Sequence, residues 1–157
     1  MSRPVTTLCY IEQDGKYLML HRTKKKKDIN GGKWIGVGGH LEEGEAPEDC
    51  LVREVLEETG LLLTSYTFRG LITFISDQQE TELMCLFTAD GFEGQLRECN
   101  EGELVWIPRD EVLSLPTWEG DAVFLKILLR DEPRFFTLRL AYEGDKLVDK
   151  KLRFVTT

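Results

Sequence analysis

The sequence predicts an α+β domain, and two observations support this fold class. Short apolar runs with the alternation typical of β-strands recur along the chain, often beside turn signals such as Asp-Gly. Two longer segments carry helix start and stop signals instead. Strands in several hairpins combined with two sizeable helices are typical of α+β domains. Because 41% of the 157 residues are hydrophobic, we expect a single domain spanning residues 1–157.

The first elements are predicted to be a β-hairpin followed by a loop. The dipeptide Asp14-Gly15 is a strong turn signal between two apolar runs, so strands are expected over residues 6–11 and 17–21. Residues 23–32 are polar and rich in turn formers, so a loop follows. The lysines at 24–27 in this segment are expected to be solvated.

A helix is predicted over residues 46–59. Pro47 suits the first turn of a helix, and Gly60 suits the position just beyond the last turn. At about 100° per residue, one arc of this helix is expected to face the core, while the glutamates lie on a separate arc that does not. The core-facing arc consists of Leu51, Val52, Val55, Leu56 and Thr59.

The second half of the chain is predicted to contain further strands, two helices and a last hairpin. Strands are expected over residues 67–75, 83–89 and 104–107, a short helix over 109–113, a second helix over 120–129, and hairpin strands over 135–142 and 146–155.

Composition and charge narrow the possible function classes. A net charge of -8 repels nucleic acid backbones, so stable nucleic acid binding is not expected, and phosphate chemistry would need local basic residues or a bound cation. No apolar stretch is long enough for a membrane span, and no export signal is visible. The four cysteines form no C-x-x-C pair. We therefore expect a cytoplasmic protein with reduced thiols.

The predicted helix carries an uncompensated cluster of carboxylates. Glu54, Glu57 and Glu58 are neighbours on one arc, and Arg53 is the only basic residue between Lys33 and Arg69. Carboxylates without histidine or cysteine suit Mg²⁺ or Mn²⁺ as a cofactor, although a solvated acidic face would also explain the cluster. The glycines before the helix would let a backbone carbonyl approach such an ion; they are Gly36, Gly38 and Gly39.

The loop and helix together resemble the Nudix box. The pattern consists of Gly39, five residues, Glu45, seven residues, and then the segment Arg53-Glu54-Val55-Leu56-Glu57-Glu58-Thr59-Gly60-Leu61. The resemblance implies a Nudix-type α/β/α sandwich, with a mixed sheet between helices, that hydrolyses a diphosphate-linked nucleotide.

The resemblance also implies a role for each matching residue. Glu54, Glu57 and Glu58 would bind Mg²⁺ together with the Gly38 carbonyl, while Arg53 would orient a glutamate and Glu45 would support the loop. Family members differ over whether a box glutamate or a distant one is the general base. In this sequence Glu101 lies where MutT-like relatives carry a further metal-binding or basic glutamate, and Glu103 and a plain surface acid remain alternatives.

Other segments resemble the MutT-like oxidised-purine nucleoside triphosphatases. Trp118 and Asp121 match base-binding positions of the animal enzymes, but Gly120 replaces an aspartate and Ile35 replaces an asparagine. An indole can stack on a purine and a carboxylate can accept its N–H donors; packing and capping of the second helix is the alternative. Further expected substrate contacts are Thr7 and Phe74 at the base and Arg22 at a phosphate.

Three functions remain open at this point. The first is a Mg²⁺-dependent pyrophosphohydrolase that converts a nucleoside triphosphate, such as 8-oxo-dGTP, to the monophosphate and pyrophosphate. The second is a hydrolase of ADP-ribose, dinucleoside polyphosphates or capped RNA, and the third is an inactive binding module with the same fold. Both enzyme hypotheses imply a nucleotide as the substrate. The chain is expected to be a monomer or a homodimer.

Overall fold

The computed structural model describes residues 4–23 and 30–156, and in it a mixed β-sheet lies between two helices. The predicted solvated loop at 24–27 falls outside these residues. The strands of the described chain are β1 (Val5–Gln13), β2 (Lys16–Arg22), β3 (Trp34–Ile35), β4 (Leu62–Ser76), β5 (Glu82–Glu93), β6 (Gly102–Pro108), β7 (Phe136–Glu143) and β8 (Lys146–Phe154). The helices are α1 (Pro47–Thr59), α2 (Asp121–Leu129) and a 3₁₀ helix at Arg109–Ser114.

The sheet combines parallel and antiparallel pairs. Its strand order is β3-β2-β1-β5-β4-β7-β8, and β6 also pairs with β2. The pairs β1 with β5 and β4 with β7 are parallel, whereas the remaining pairs are antiparallel. The predicted α+β class with a mixed sheet between helices is therefore confirmed.

Alternate residues of the central strands face two separate cores because side chains alternate across a strand. On β1, Tyr10 belongs to the core that also contains Phe124 and Leu128 of α2. Its neighbour Ile11 belongs to the other core, which contains Leu51 and Val55 of α1. The two helices thus cover opposite faces of the sheet.

Helix α1 begins and ends as its sequence signals predict. The backbone N–H of Ala46 donates to the Asp49 carboxylate at 2.9 Å, and Pro47 is the first helical residue. Gly60 ends the helix with φ of 81°, a left-handed conformation in which a side chain would be strained, and its N–H donates to the Leu56 carbonyl at 2.9 Å. Leu56 itself is 41% exposed, so its predicted place in the core was wrong.

The structure also corrects the strand predictions. Strands β1 and β2 are joined by the expected Asp14-Gly15 turn, but they pair only near that turn; β1 then pairs with β5, and β2 with β6. The short strand β3 was not predicted, and β4 begins at Leu62 rather than near residue 67. Within the described residues no helix is long and apolar enough to span a membrane.

Candidate active site

A cleft of about 790 Å³ runs between the glycine loop before α1 and the turn before α2. It brings together most of the residues that the sequence singled out. Those lining it are Thr7, Arg22, Ile35, Gly38, Glu54, Glu58, Phe74, Glu101, Trp118 and Asp121. Glu45, Arg53 and Glu57 are not among the lining residues. The cleft therefore has an acidic end beside α1 and an aromatic end beside Trp118.

The glycine loop is pressed between β1 and α1. The N–H of Thr7 donates to the Gly39 carbonyl at 2.8 Å, and the N–H of Cys9 donates to the Val37 carbonyl at 2.7 Å. A Cβ on Gly38 would overlap the Thr7 carbonyl, and one on Gly39 would meet the Glu54 carboxylate. Only glycine therefore allows the loop to approach both elements this closely.

Arg53 connects the loop to the acidic helix. Its guanidinium donates to both carboxylate oxygens of Glu45, from Nε at 2.8 Å and from Nη2 at 2.9 Å. It also donates to Glu54 Oε1 at 2.7 Å and to the His40 carbonyl at 3.1 Å. These hydrogen bonds hold the pKa of Glu45 down at about 2, and the Glu45 carboxylate in turn accepts the Glu42 N–H at 2.8 Å. The guanidinium thus fixes the loop and one cleft carboxylate together.

The acidic end of the cleft contains carboxyl groups that repel each other. Burial, together with the neighbouring Glu101 and Glu54, raises the pKa of Glu58 to about 9; Glu58 also shares a hydrogen bond with Glu101. The Gly38 N–H donates to Glu58 and opposes this rise in pKa. The distance from Nη1 of Arg22 to Oε2 of Glu101 is 3.3 Å. Positive charge at this end would reduce the electrostatic repulsion between the carboxylates.

A divalent cation fits the donor set of this end. Glu58 Oε2 is buried without a hydrogen-bond partner among the described residues, and the surrounding donors are carboxylate oxygens. Hard oxygen donors of this kind suit Mg²⁺ or Mn²⁺. Across residues 4–23 and 30–156, no group of three His, Cys, Asp or Glu side chains is already arranged as a metal cage.

Glu57 occupies a different environment from Glu54 and Glu58. Its side chain is 60% exposed, and its Oε2 lies 3.4 Å from Nη1 of Arg53. The structure therefore brings Glu54, Glu58 and Glu101 to the cleft and leaves Glu57 at its margin, beside the arginine.

The aromatic end is built around Trp118, which is only 3% exposed. Phe74 lies edge-on to its ring, with centroids 5.5 Å apart, and the Lys33 ammonium lies 4.3 Å from its centroid. Its Nε1–H donates to Asn30 Oδ1 at 2.6 Å. Asp121 lies three residues further on and is 4% exposed; burial raises its pKa to about 8, and Lys33 partly opposes this. Burial therefore favours the protonated carboxyl group.

Thr7 lines the cleft, and its hydroxyl lies beside the thiol of Cys50. Its Oγ1 lies 3.5 Å from Sγ of Cys50 on α1, whose thiol also donates to the Gly39 carbonyl at 3.6 Å. On the neighbouring residue, the Thr6 hydroxyl donates to Glu82 Oε2 at 2.8 Å. Cys50 thus connects the Thr7 hydroxyl to the glycine loop.

Sequence reasoning missed several residues that shape the aromatic end. Asn30 lies near the end of the segment interpreted only as a loop, Lys33 directly follows that segment, and Tyr142 was interpreted as a strand residue. No periodicity marks a loop side chain that reaches a residue far along the chain. A tryptophan predicted to be buried signals a hydrogen-bond partner for its Nε1–H, but it does not say which residue supplies that partner.

Comparisons with known proteins agree with this geometry. Residues 1–128 match the family described as NUDIX domain. The chain is 33% identical over 148 residues to the oxidized purine nucleoside triphosphate hydrolase of Danio rerio, covering 93% of this chain and 92% of the relative. It is 32% identical over 131 residues to the uncharacterized Nudix hydrolase YvcI of Bacillus subtilis, covering 80% and 79% of the two chains.

A solved structure extends the likeness to the whole fold. The crystal structure of the MutT protein from Bacillus halodurans has a TM-score of 0.85 at 26% sequence identity, covering 95% of this chain and 97% of that one. The family match, the relatives and the shared fold lead to one conclusion: this chain belongs to the Nudix hydrolase family and is a MutT-like enzyme within it.

Proposed function

We propose that the protein is a Mg²⁺-dependent pyrophosphohydrolase that converts a purine nucleoside triphosphate, oxidised or normal, to the monophosphate and pyrophosphate. The observation that carries this proposal is a cleft of about 790 Å³ with carboxylates at one end and a tryptophan with a buried carboxyl group at the other. Such a cleft is large enough for one nucleotide. The relative from Danio rerio, named for oxidised purine nucleoside triphosphates, supports the same substrate class.

At the acidic end, Glu54, Glu58 and Glu101 would hold the cation, with Glu57 and the Gly38 carbonyl as the further ligands that the family resemblance implies. When bound, Mg²⁺ would neutralise the diphosphate and activate the attacking water. Arg53 orients Glu54 through the hydrogen bond from its Nη1. Arg22 presents a guanidinium at the cleft, where it would bind a phosphate oxygen of the substrate.

At the aromatic end, Trp118 and Asp121 would bind the base. A neutral carboxyl group has one O–H donor and retains an acceptor oxygen. It can therefore accept an N–H of guanine while it donates to the neighbouring carbonyl oxygen. Phe74 and Ile35 supply apolar lining in the same cleft. A sugar-linked or dinucleotide substrate has no need for such a pocket.

The experiment that tests this function measures product release from a panel of nucleotides. The panel contains dGTP, 8-oxo-dGTP, dATP, dCTP, ADP-ribose, a dinucleoside polyphosphate and a capped RNA, each with Mg²⁺ and with EDTA. We expect pyrophosphate, not phosphate, and the highest kcat/KM with purine triphosphates in Mg²⁺. Faster turnover of ADP-ribose, the dinucleotide or capped RNA would replace the proposal by the second enzyme class. No turnover of any substrate would indicate a binding module.

A further inference from the structure

The β7–β8 hairpin contacts the segments that form the aromatic end of the cleft. The N–H of Gly144, in the hairpin turn, donates at 3.0 Å to Asp77, in the turn between β4 and β5. The N–H of Leu147 on β8 donates at 3.0 Å to Glu119, in the turn that leads into α2. Both donors lie beyond residues 1–128, to which the family match extends. The hairpin thus holds the β4–β5 turn and the turn before α2, and it does so with residues outside the region that the family match covers.

Tyr142, near the end of β7, makes the most extensive of these contacts. Its ring stacks on Phe74, with centroids 4.9 Å apart and an interplanar angle of 28°, and it lies edge-on to Trp118 at 5.0 Å. Its hydroxyl oxygen accepts the buried N–H of Gly120 at 2.7 Å. Tyr142 is 3% exposed, so water does not compete for this hydrogen bond. The hydroxyl therefore holds the backbone between the two residues proposed to bind the base.

Gly120 and Tyr142 fit each other closely. A Cβ on Gly120 would lie 2.5 Å from the Tyr142 hydroxyl oxygen and 2.6 Å from Cδ1 of Leu140. Real Cβ atoms do not approach other atoms this closely, so a larger residue at this position would displace the tyrosine or move the turn. The Tyr142 hydroxyl therefore requires glycine at residue 120. Asp121 is the acid of this turn that lines the cleft.

We propose that Tyr142 is a positioning residue for base selectivity: through the N–H of Gly120 it fixes the turn that carries Trp118 and Asp121. This inference rests on the proposed function, because it assumes that these two residues bind the base. In the proposed function, the reacting phosphates would lie at the other end of the cleft. Loss of the hydroxyl should therefore weaken base recognition and leave the chemical step unchanged.

The direct test is Tyr142→Phe, which removes the hydroxyl and keeps the ring. The Gly120 N–H would then be buried without a partner, which is costly, so the turn that carries Trp118 and Asp121 should shift. We expect KM for dGTP to rise roughly tenfold, whereas kcat for dGTP and both kcat and KM for dCTP should change by less than about twofold. Binding of the product dGMP, measured by calorimetry without metal, should weaken by a similar factor. Tyr66→Phe is the matched control, because Tyr66 is 37% exposed on β4 and does not line the cleft. A common loss on dGTP and dCTP, or no loss on either, would overturn the inference.

A double-mutant cycle tests the fit between the two residues. Gly120→Ala should impair dGTP binding by crowding the hydroxyl, and Tyr142→Phe should recover part of that loss in the double variant because it removes the crowded atom. Additive effects would contradict the pairing. Faster hydrogen exchange of the Gly120 amide in Tyr142→Phe gives a readout that needs no activity. If wild type hydrolyses no nucleoside triphosphate, the proposed function fails, while unchanged exchange would overturn the positioning role itself.

Discussion

Arg53 holds Glu45 through two parallel hydrogen bonds, from Nε to Oε2 at 2.8 Å and from Nη2 to Oε1 at 2.9 Å. The same guanidinium donates from Nη1 to Glu54 at 2.7 Å. A planar guanidinium matches a carboxylate with two donors at once, whereas an ammonium acts as a point charge. The position of Glu54 in the cleft therefore depends on the shape of the arginine as well as on its charge.

Replacing Arg53 by lysine should lower activity although the charge is kept. We expect kcat to fall at least about tenfold, which corresponds to about 1.4 kcal/mol of transition-state stabilisation, because Glu54 loses its fixed orientation. Steady-state pyrophosphate release measures this loss. Arg139→Lys is the control, since Arg139 pairs with Asp149 on the surface of the sheet. Activity of Arg53→Lys within twofold of wild type would show that charge alone suffices.

Glu58→Gln should abolish turnover without destabilising the fold. We expect kcat to fall at least about 100-fold, because a cation ligand is removed from the reacting phosphates. The melting temperature should stay equal or rise, since burial already raises the pKa of Glu58 to about 9 and glutamine carries no charge. Glu43→Gln, on an exposed loop residue, is the control. A variant with nearly full activity would contradict the role of Glu58.

Glu57→Gln separates the sequence expectation from the observed geometry. The family resemblance implies a metal ligand, so we expect a loss of kcat of at least about 100-fold here too. Glu57 is 60% exposed beside Arg53, so thermal stability should hardly change. If kcat falls less than about tenfold, Glu57 acts on the arginine and not on the cation.

Magnesium should stabilise the folded protein. Binding to the native state alone raises the melting temperature, and the carboxyl groups of Glu54, Glu58 and Glu101 lie together only in the folded chain. We expect a higher melting temperature in millimolar Mg²⁺ or Mn²⁺ than in EDTA, and a smaller difference in Glu58→Gln. Identical melting curves of wild type with Mg²⁺ and with EDTA would argue against a site that forms without nucleotide.

Asp121 should make stability decrease as the pH rises. Its pKa is raised from 3.8 to about 8 by burial, so the folded state keeps a proton that the unfolded state releases. The stabilisation is complete below pH 3.8 and is lost as the pH rises to about 8. Asp121→Asn should therefore gain more than about 1 kcal/mol relative to wild type between pH 5 and pH 9, measured by urea unfolding. Glu58 titrates in wild type and in the variant alike, so its effect cancels in the comparison. A difference in unfolding free energy that stays constant with pH would contradict the assignment to Asp121.

Asp121→Ala should lower selectivity for purines. We expect kcat/KM for dGTP and 8-oxo-dGTP to fall roughly ten- to a hundredfold more than that for dCTP, because the carboxyl group pairs with the purine edge. Preference for the oxidised over the normal base should be modest, since Gly120 and Ile35 replace polar residues of the similar animal enzymes. Asp110→Ala, on an exposed acid, is the control. An equal fall on all substrates would show that Asp121 shapes the fold only.

Much of the fold followed from local patterns. The Asp14-Gly15 turn, the start of α1 at Pro47 and its end at Gly60 depend on residues within one or two turns of chain, so the sequence indicates them directly. The partners of β1 did not follow in this way. A turn signal predicts that β1 pairs with β2, but parallel pairing with β5 depends on a strand more than sixty residues away in the sequence.

The sequence by itself determined the family, the glycine loop and the acidic helix, because the spacing from Gly39 to Gly60 needs only the geometry of one loop and one helix. Tertiary structure alone decided which distant segments contact each other at the aromatic end of the cleft. Trp118 donates a hydrogen bond to Asn30, 88 residues away in the sequence, and Gly120 donates one to Tyr142, 22 residues away. Both contacts depend on the order of strands in the sheet. Periodicity and turn chemistry act over a few residues, whereas these contacts form only when distant segments pack together.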